Sequence, residues 1–210
     1  MKALPRKLLP LTLFAIAVTS LFCVRPAQAY TVTLHQVGSN VVGTGSGPIN
    51  LTGLTFRGSV QDSDVAAIVP NPALIFTGSV GLVNIDVYHG LLTGPTNFGS
   101  GLGALADTGS GDFVGINVFA GNLFVPQGYV SGSALSDSMT FNNATFASLG
   151  ATPGTYVWTW GDGLPNQNFT LIIGGAGVPD GGSTGSLLGC ALLGLAALQR
   201  KLPLLRGGKS

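Results

Sequence analysis

Asp107-Thr108-Gly109, introduced by the apolar Ala104-Leu105-Ala106, is the stretch of this 210-residue chain whose residue types come nearest to acid–base chemistry. A carboxylate there becomes catalytic when a second one shares its proton, and a homodimer would bring in a second Asp107. The surrounding Thr108-Gly-Ser-Gly-Asp112 reads instead as a turn, where Asp, Gly and Ser are ordinary residues. Asp62-x-Asp64, Asp107, Asp112 and Asp162 are hard oxygen donors suited to extracellular Ca²⁺, but no Asp-x-Asp-x-Asp-Gly run accompanies them. His35 and His89 stand far apart in strand-like patterns without Cys or Glu partners, so neither a metal nor a cofactor is expected. Trp158 and Trp160 could stack on sugar rings if they pointed outward; an alternating aromatic strand is expected rather to bury them. With no Gly-x-Ser-x-Gly elbow in residues 30–177 and no phosphate loop, the chain is not expected to be an enzyme.

The elements that would position these residues are strands. Charged residues make up 8% of the chain, every acid is Asp, and there are 33 Gly. Without Glu and with few Lys, the composition turns away from helix and towards strands and turns. Tyr30–Leu34 alternates apolar and polar residues, and Val41–Thr44 reads as its returning strand. Further strands are expected at Leu51–Phe56, Leu74–Phe76, Val83–Leu91, Phe113–Phe119, Asn122–Val125 and Tyr129–Ser131. Gly121-Asn122 suits a tight hairpin. The clearest pair places Tyr156, Trp158 and Trp160 on one face, with Phe169, Leu171 and Ile173 repeating the pattern after a turn. Asn142-Asn143 could cap one short helix over Ala144–Leu149, ended by Gly150. The glycines at 43, 45, 47 and 53 weaken their strands and mark bulges or close backbone approach. About ten strands in residues 30–177 predict an all-β domain, a β-sandwich or jelly roll.

Charge is laid out unevenly. Residues 30–177 hold Arg57 against Asp62, Asp64, Asp86, Asp107, Asp112, Asp137 and Asp162, a net of −6, between two basic ends. One cation cannot neutralise a phosphate backbone, which excludes nucleic acid as a partner. Lys2, Arg6 and Lys7 precede the apolar Leu8–Val24 and then Arg25-Pro26-Ala27-Gln28-Ala29, the layout of a secretory signal peptide over 1–29 with signal peptidase cutting after Ala29. A lipoprotein anchor at Cys23 is disfavoured by bulky Phe22; a retained membrane anchor is the other alternative. Cys190 is then the one cysteine left, so residues 30–177 have no disulfide.

Residues 178–206 form a separate segment. Its apolar run, Ser186 to Leu198, would span about 20 Å as a helix against about 30 Å of hydrocarbon. Arg200 and Lys201 would hold its end on the cytoplasmic side. Pro179 and the Gly181-Gly182 pair keep the preceding residues extended and accessible. A short apolar helix of this kind suits a temporary membrane stop better than a lasting anchor.

The succession Val178-Pro179-Asp180-Gly181-Gly182-Ser183-Thr184, then a helix of small residues and leucines, then Arg200-Lys201, resembles the PEP-CTERM class of bacterial sorting signals in its VPDSG form. Gly181 stands where that form has Ser. The stretch Thr152 to Gly174 is also similar to the closing segment of many PEP-CTERM proteins. The resemblance implies a membrane-embedded exosortase as processing partner, a transient stage in the inner membrane, and a surface or extracellular-matrix destination. A structural or adhesive domain is therefore expected, with extracellular polysaccharide as a possible partner. The alternative is a carbohydrate- or calcium-binding module. More remotely, Asp107-Thr108-Gly109 with Ile172-Ile173-Gly174 resembles the small dimeric aspartic proteases, which would imply an enzyme using Asp107.

Overall fold

The computed structural model describes residues 29–62 and 66–174. Ala27, the motif Val178–Thr184, the Arg200-Lys201 pair, Asp64 and the expected terminal helix lie outside the described residues, as does the side chain of Asp62.

Thirteen strands, numbered in chain order, form two sheets among the described residues. The first has the order β12 (Gly154–Thr159), β13 (Asn168–Ile173), β1 (Thr31–Val37), β2 (Asn40–Pro48), β11 (Ala134–Phe141), β8 (Thr108–Gly111). The second runs β3 (Thr55–Asp62), β6 (Val83–His89), β10 (Asn122–Pro126), β9 (Val114–Asn117), β5 (Leu74–Thr77), β4 (Ala67–Val69), β7 (Ala104–Leu105). The first and last strands of the domain, β1 and β13, lie side by side in parallel, Thr31 opposite Thr170 and Leu34 opposite Ile173. Every other pairing is antiparallel.

Period-two burial accounts for the architecture. Val32 and Leu34 of β1, Trp158 of β12 and Leu171 of β13 face inward and meet Ile75, Ile116 and Leu123 of the other sheet in one buried cluster. Removing each such aliphatic side chain from water stabilises the fold by about 1.5–3 kcal/mol. The glycines of β2 face this interior. A Cβ on Gly43 would sit 2.8 Å from Leu34 Cδ2 and 2.9 Å from Met139 Cε, and one on Gly45 would strike the Tyr30 hydroxyl and the Asp137 carboxylate. They are the close approaches that the sequence implies, since larger neighbours on β1 and β11 fill the space over them. A smaller apolar cluster of Phe76, Phe113, Ile85 and Ala67 covers part of the seven-stranded sheet, with Phe76 lying against Gly115.

Several expectations are corrected. Ala144–Leu149 is not a helix but a single turn. The reciprocal cap is present, the Thr145 N–H donating to Ser148 Oγ and the Ser148 N–H to Thr145 Oγ1, but Leu149 N to Thr145 O is followed at once by Gly150 at φ 65°. Leu51–Leu54 is a turn and the strand begins at Thr55, because the Asn50 side chain accepts the Thr52 N–H and Gly53 takes φ 86°. Tyr129–Ser131 is likewise a turn. Its Tyr129 hydroxyl accepts the Ile49 N–H and donates to Ser133 O. Thr108–Gly111, read as a turn, is strand β8.

Candidate functional site

The six-stranded sheet turns its apolar residues inward, so the alternate residues of each strand form its outer face. Those residues are Ser and Thr on nearly every strand. Strand register lines them up. One cross-strand row reads Thr155, Ile172, Thr33, Thr44, Ser138, Ser110, one residue from each of the six strands. The adjacent row reads Val157, Thr170, Thr31, Ser46, Ser136. Thr44, Ser46, Ser136, Ser110, Thr155 and Val157 are exposed.

Neither row contains an ionisable group. His35 stands in the next row, beside Val42 and then Thr140. The carboxylates at the rim are engaged with backbone: Asp112 accepts the Ser136 N–H at 2.8 Å, and Asp107 accepts the Asn142 N–H at 2.7 Å. Three contacts order the hydroxyls themselves, Ser110 Oγ to Ser138 Oγ at 2.9 Å, Asn168 Nδ2 to Thr170 Oγ1 at 3.2 Å and Thr31 Oγ1 to Ala29 O at 2.9 Å. Thr31, Thr33, Thr44, Ser46 and Ile172 line a shallow depression at the middle of the face. Each hydroxyl both donates and accepts, so the surface is an array of neutral hydrogen-bonding groups interspersed with methyls.

Directly beneath, on the inner side, lies a polar cluster. Tyr30 donates to Asp137 Oδ2 at 2.5 Å, and its hydroxyl also lies 2.8 Å from Thr77 Oγ1 on the opposite sheet, which donates to Val114 O at 3.2 Å. Asp137 Oδ1 is buried without a hydrogen-bond partner. Burial pushes the Asp137 carboxyl up to about 6, with Asp112 adding to the rise and the Tyr30 hydroxyl opposing it. Burial also raises Tyr30 well above the usual tyrosine range, and the neighbouring Asp137 adds to it. Both sheets are thereby tied through one polar contact inside an apolar core.

The residues singled out from sequence separate clearly. Trp158 and Trp160 are 0% and 3% exposed, and their indole N–H groups donate to Pro95 O at 2.7 Å and Asn50 O at 2.8 Å. They are core residues and present no sugar-stacking platform. Asp107 is exposed. Among the described residues no three His, Cys, Asp or Glu side chains converge. Ala29, the final residue of the expected leader, accepts the Thr31 hydroxyl at 2.9 Å. The hydroxyl rows and the Tyr30–Asp137–Thr77 cluster were not anticipated. Their signal was present in Thr-x-Thr at 31–33, Thr-x-Ser at 44–46 and Ser-x-Ser at 136–138, the strand period written in hydroxyl residues.

Residues 177–202 match the family model of the VPDSG-CTERM motif, taking in Val178–Thr184 and both basic residues Arg200 and Lys201. No match was found among curated proteins or among solved structures. Signals of this kind are recognised by exosortase-like processing machinery, and this one is consistent with export to the cell envelope or surface. The segment 177–202, set after an all-β domain whose outer face is neutral and hydroxyl-rich, is a PEP-CTERM-type exosortase sorting signal of the VPDSG-CTERM form.

Proposed function

We propose that this is an exported bacterial surface or extracellular-matrix protein whose domain is structural or adhesive and works without catalysis. In this reading the leader 1–29 is removed by signal peptidase, the tail pauses in the inner membrane, and an exosortase cuts near Val178–Ser183. The observation that carries it is the sorting-signal match at 177–202. Two features of the domain support it. Two sheets share one core, as in a β-sandwich, and they do so with Cys23 and Cys190 both lying outside the domain. Such a domain gains stability from packing alone, whatever the redox state of its surroundings. The Asp107 carboxylate has a turn-holding role, and this favours an adhesive reading over a proteolytic one.

Mass spectrometry of the mature termini, on protein recovered from host cells with and without the exosortase, tests the reading. The expected result is a new C-terminus near Val178–Ser183 that depends on the exosortase. Intact Ser210 in envelopes with an active exosortase would refute it.

A further inference from the structure

The rows on the outer face of the six-stranded sheet hold nine hydroxyls, five in the row through Thr33 and four in the row through Thr31, with Ile172 inside the first row and Val157 at the β12 end of the second. A phosphate, sulfate or carboxylate partner would call for cations, and neither row has one. A purely apolar partner would bury hydroxyls without replacing their hydrogen bonds to water. The chemistry that satisfies such an array is another set of neutral hydroxyls, able to donate and accept at each position, carried on a framework with C–H surface for the Thr methyls, Ile172 and Val157. Sugars have this composition.

Sheet geometry selects the form of sugar. Adjacent strands stand about 4.8 Å apart, so successive hydroxyls along a row recur at about that interval, close to the length of one hexose unit. Neighbouring strands also rotate by about 20–25°, which accumulates to about 100° or more over six strands. A rigid flat lattice, whether ice or a crystalline fibre, would touch two or three strands and then part from the sheet. A single flexible chain can turn with it.

We propose that these two rows bind one extended chain of a neutral polysaccharide, laid across the strands from Thr155 towards Ser110. The proposal rests on the adhesive reading above and names its partner. Trp158 and Trp160 take no part, being buried. Recognition runs through many weak hydroxyl contacts, so affinity grows with polymer length and is insensitive to salt.

The test is native affinity electrophoresis of the full chain, held in non-ionic detergent, through gels containing hydroxyethylcellulose or dextran and, separately, anionic carboxymethylcellulose. Retardation by at least one neutral polymer is expected, unchanged at high salt. The pair Thr44→Lys and Ser138→Lys, at the middle of one row, should weaken it about tenfold or more, equivalent to about 1.4 kcal/mol. Thr33→Val with Thr44→Val keeps the shape and removes two hydroxyls. That variant should also weaken retention, and the fluorescence of Trp158 and Trp160 checks that it is folded. Retention unaffected by either pair, retention by carboxymethylcellulose alone, no retention, or a face that serves only to associate copies of the chain on sedimentation would each overturn the proposal. Loss of retention with a correctly processed, surface-held protein would leave the adhesive reading standing. An unprocessed tail would strike that reading and leave the electrophoresis result unaffected.

Discussion

Asp137→Asn isolates the titration of one buried carboxyl. The group lies 7% exposed between the sheets, with Tyr30 as its donor and its second oxygen unpartnered. Its pKa rises from 3.8 to about 6 in the folded protein, so the native state holds this proton more tightly than the unfolded chain does. The contribution to stability is therefore full below about pH 4, declines as pH climbs, and is gone above about pH 6. The difference, 6 − 3.8, at about 1.36 kcal/mol per pH unit, amounts to about 3 kcal/mol. Asn at this position cannot titrate; it keeps an acceptor for Tyr30 and leaves amide hydrogens unpaired at a fixed cost of about 1–3 kcal/mol. Urea unfolding between pH 4 and 7.5, followed by the fluorescence of the two buried tryptophans, measures both proteins. At pH 4 the unaltered protein should be the more stable one. By pH 7 the gap should have moved by about 2–2.5 kcal/mol in favour of the variant, because at pH 4 the unfolded chain is already about half deprotonated, and it should close or reverse. A gap that stays constant across this range would refute the assignment of the proton to Asp137.

Gly45→Ala sets a Cβ against both the Tyr30 hydroxyl and the Asp137 carboxylate, groups fixed from two neighbouring strands. It should cost about 1–3 kcal/mol as overpacking, seen as a lower thermal midpoint. Trp158→Phe retains most of the aromatic packing against Phe98 and Phe169 but leaves the Pro95 carbonyl without its donor. A loss of about 1–3 kcal/mol is expected, read as a lower urea midpoint at unchanged slope.

The parts of the fold legible in the sequence were those where burial alone sets the pattern. Tyr156, Trp158 and Trp160 alternate so strongly that the β12–β13 hairpin and its inward face could be read directly, and Phe169, Leu171 and Ile173 answer them in register. Strand β11 was missed for the opposite reason. Its inward positions are Leu135, Asp137, Met139 and Phe141, and the Asp in that series interrupts an otherwise regular apolar alternation. What restores the pattern is Tyr30, a hundred residues away, and no local rule can see that hydrogen bond. The short strands β4 and β7 have too few residues to show a period at all, and β8, Thr-Gly-Ser-Gly, has no apolar residue to alternate. At the site, the burial of the tryptophans followed from elementary propensities, whereas Asp107 was read into a turn that proved to be β8, and its carboxylate holds the N–H of Asn142, 35 residues away. The hydroxyl rows required the register of six strands, which is a property of the assembled sheet.

Scarcity of charge explains how the edges of these sheets are guarded. Natural sheets commonly protect a free edge with Lys or with an inward charge, but residues 30–177 have Arg57 as their sole Lys or Arg. That residue sits on β3, the edge of the seven-stranded sheet, beside the one irregular pairing there, a register shift between Phe56 and Gly58. A bulge bends the edge and spoils it as a template, so charge and bulge act together at the longer of the two sheets' exposed margins. Strand β12 has no charge to offer. Its end is closed by pairing instead: Thr93 and Thr159 exchange backbone hydrogen bonds at 2.9 Å in both directions, and this turns the loop after β6 into a cover for the edge. Protection by backbone rather than by charge has a consequence for the face next to it. It leaves the hydroxyl rows free of any charged side chain up to their last strand, and a neutral polymer crossing them meets no charged side chain on its way over the β12 edge.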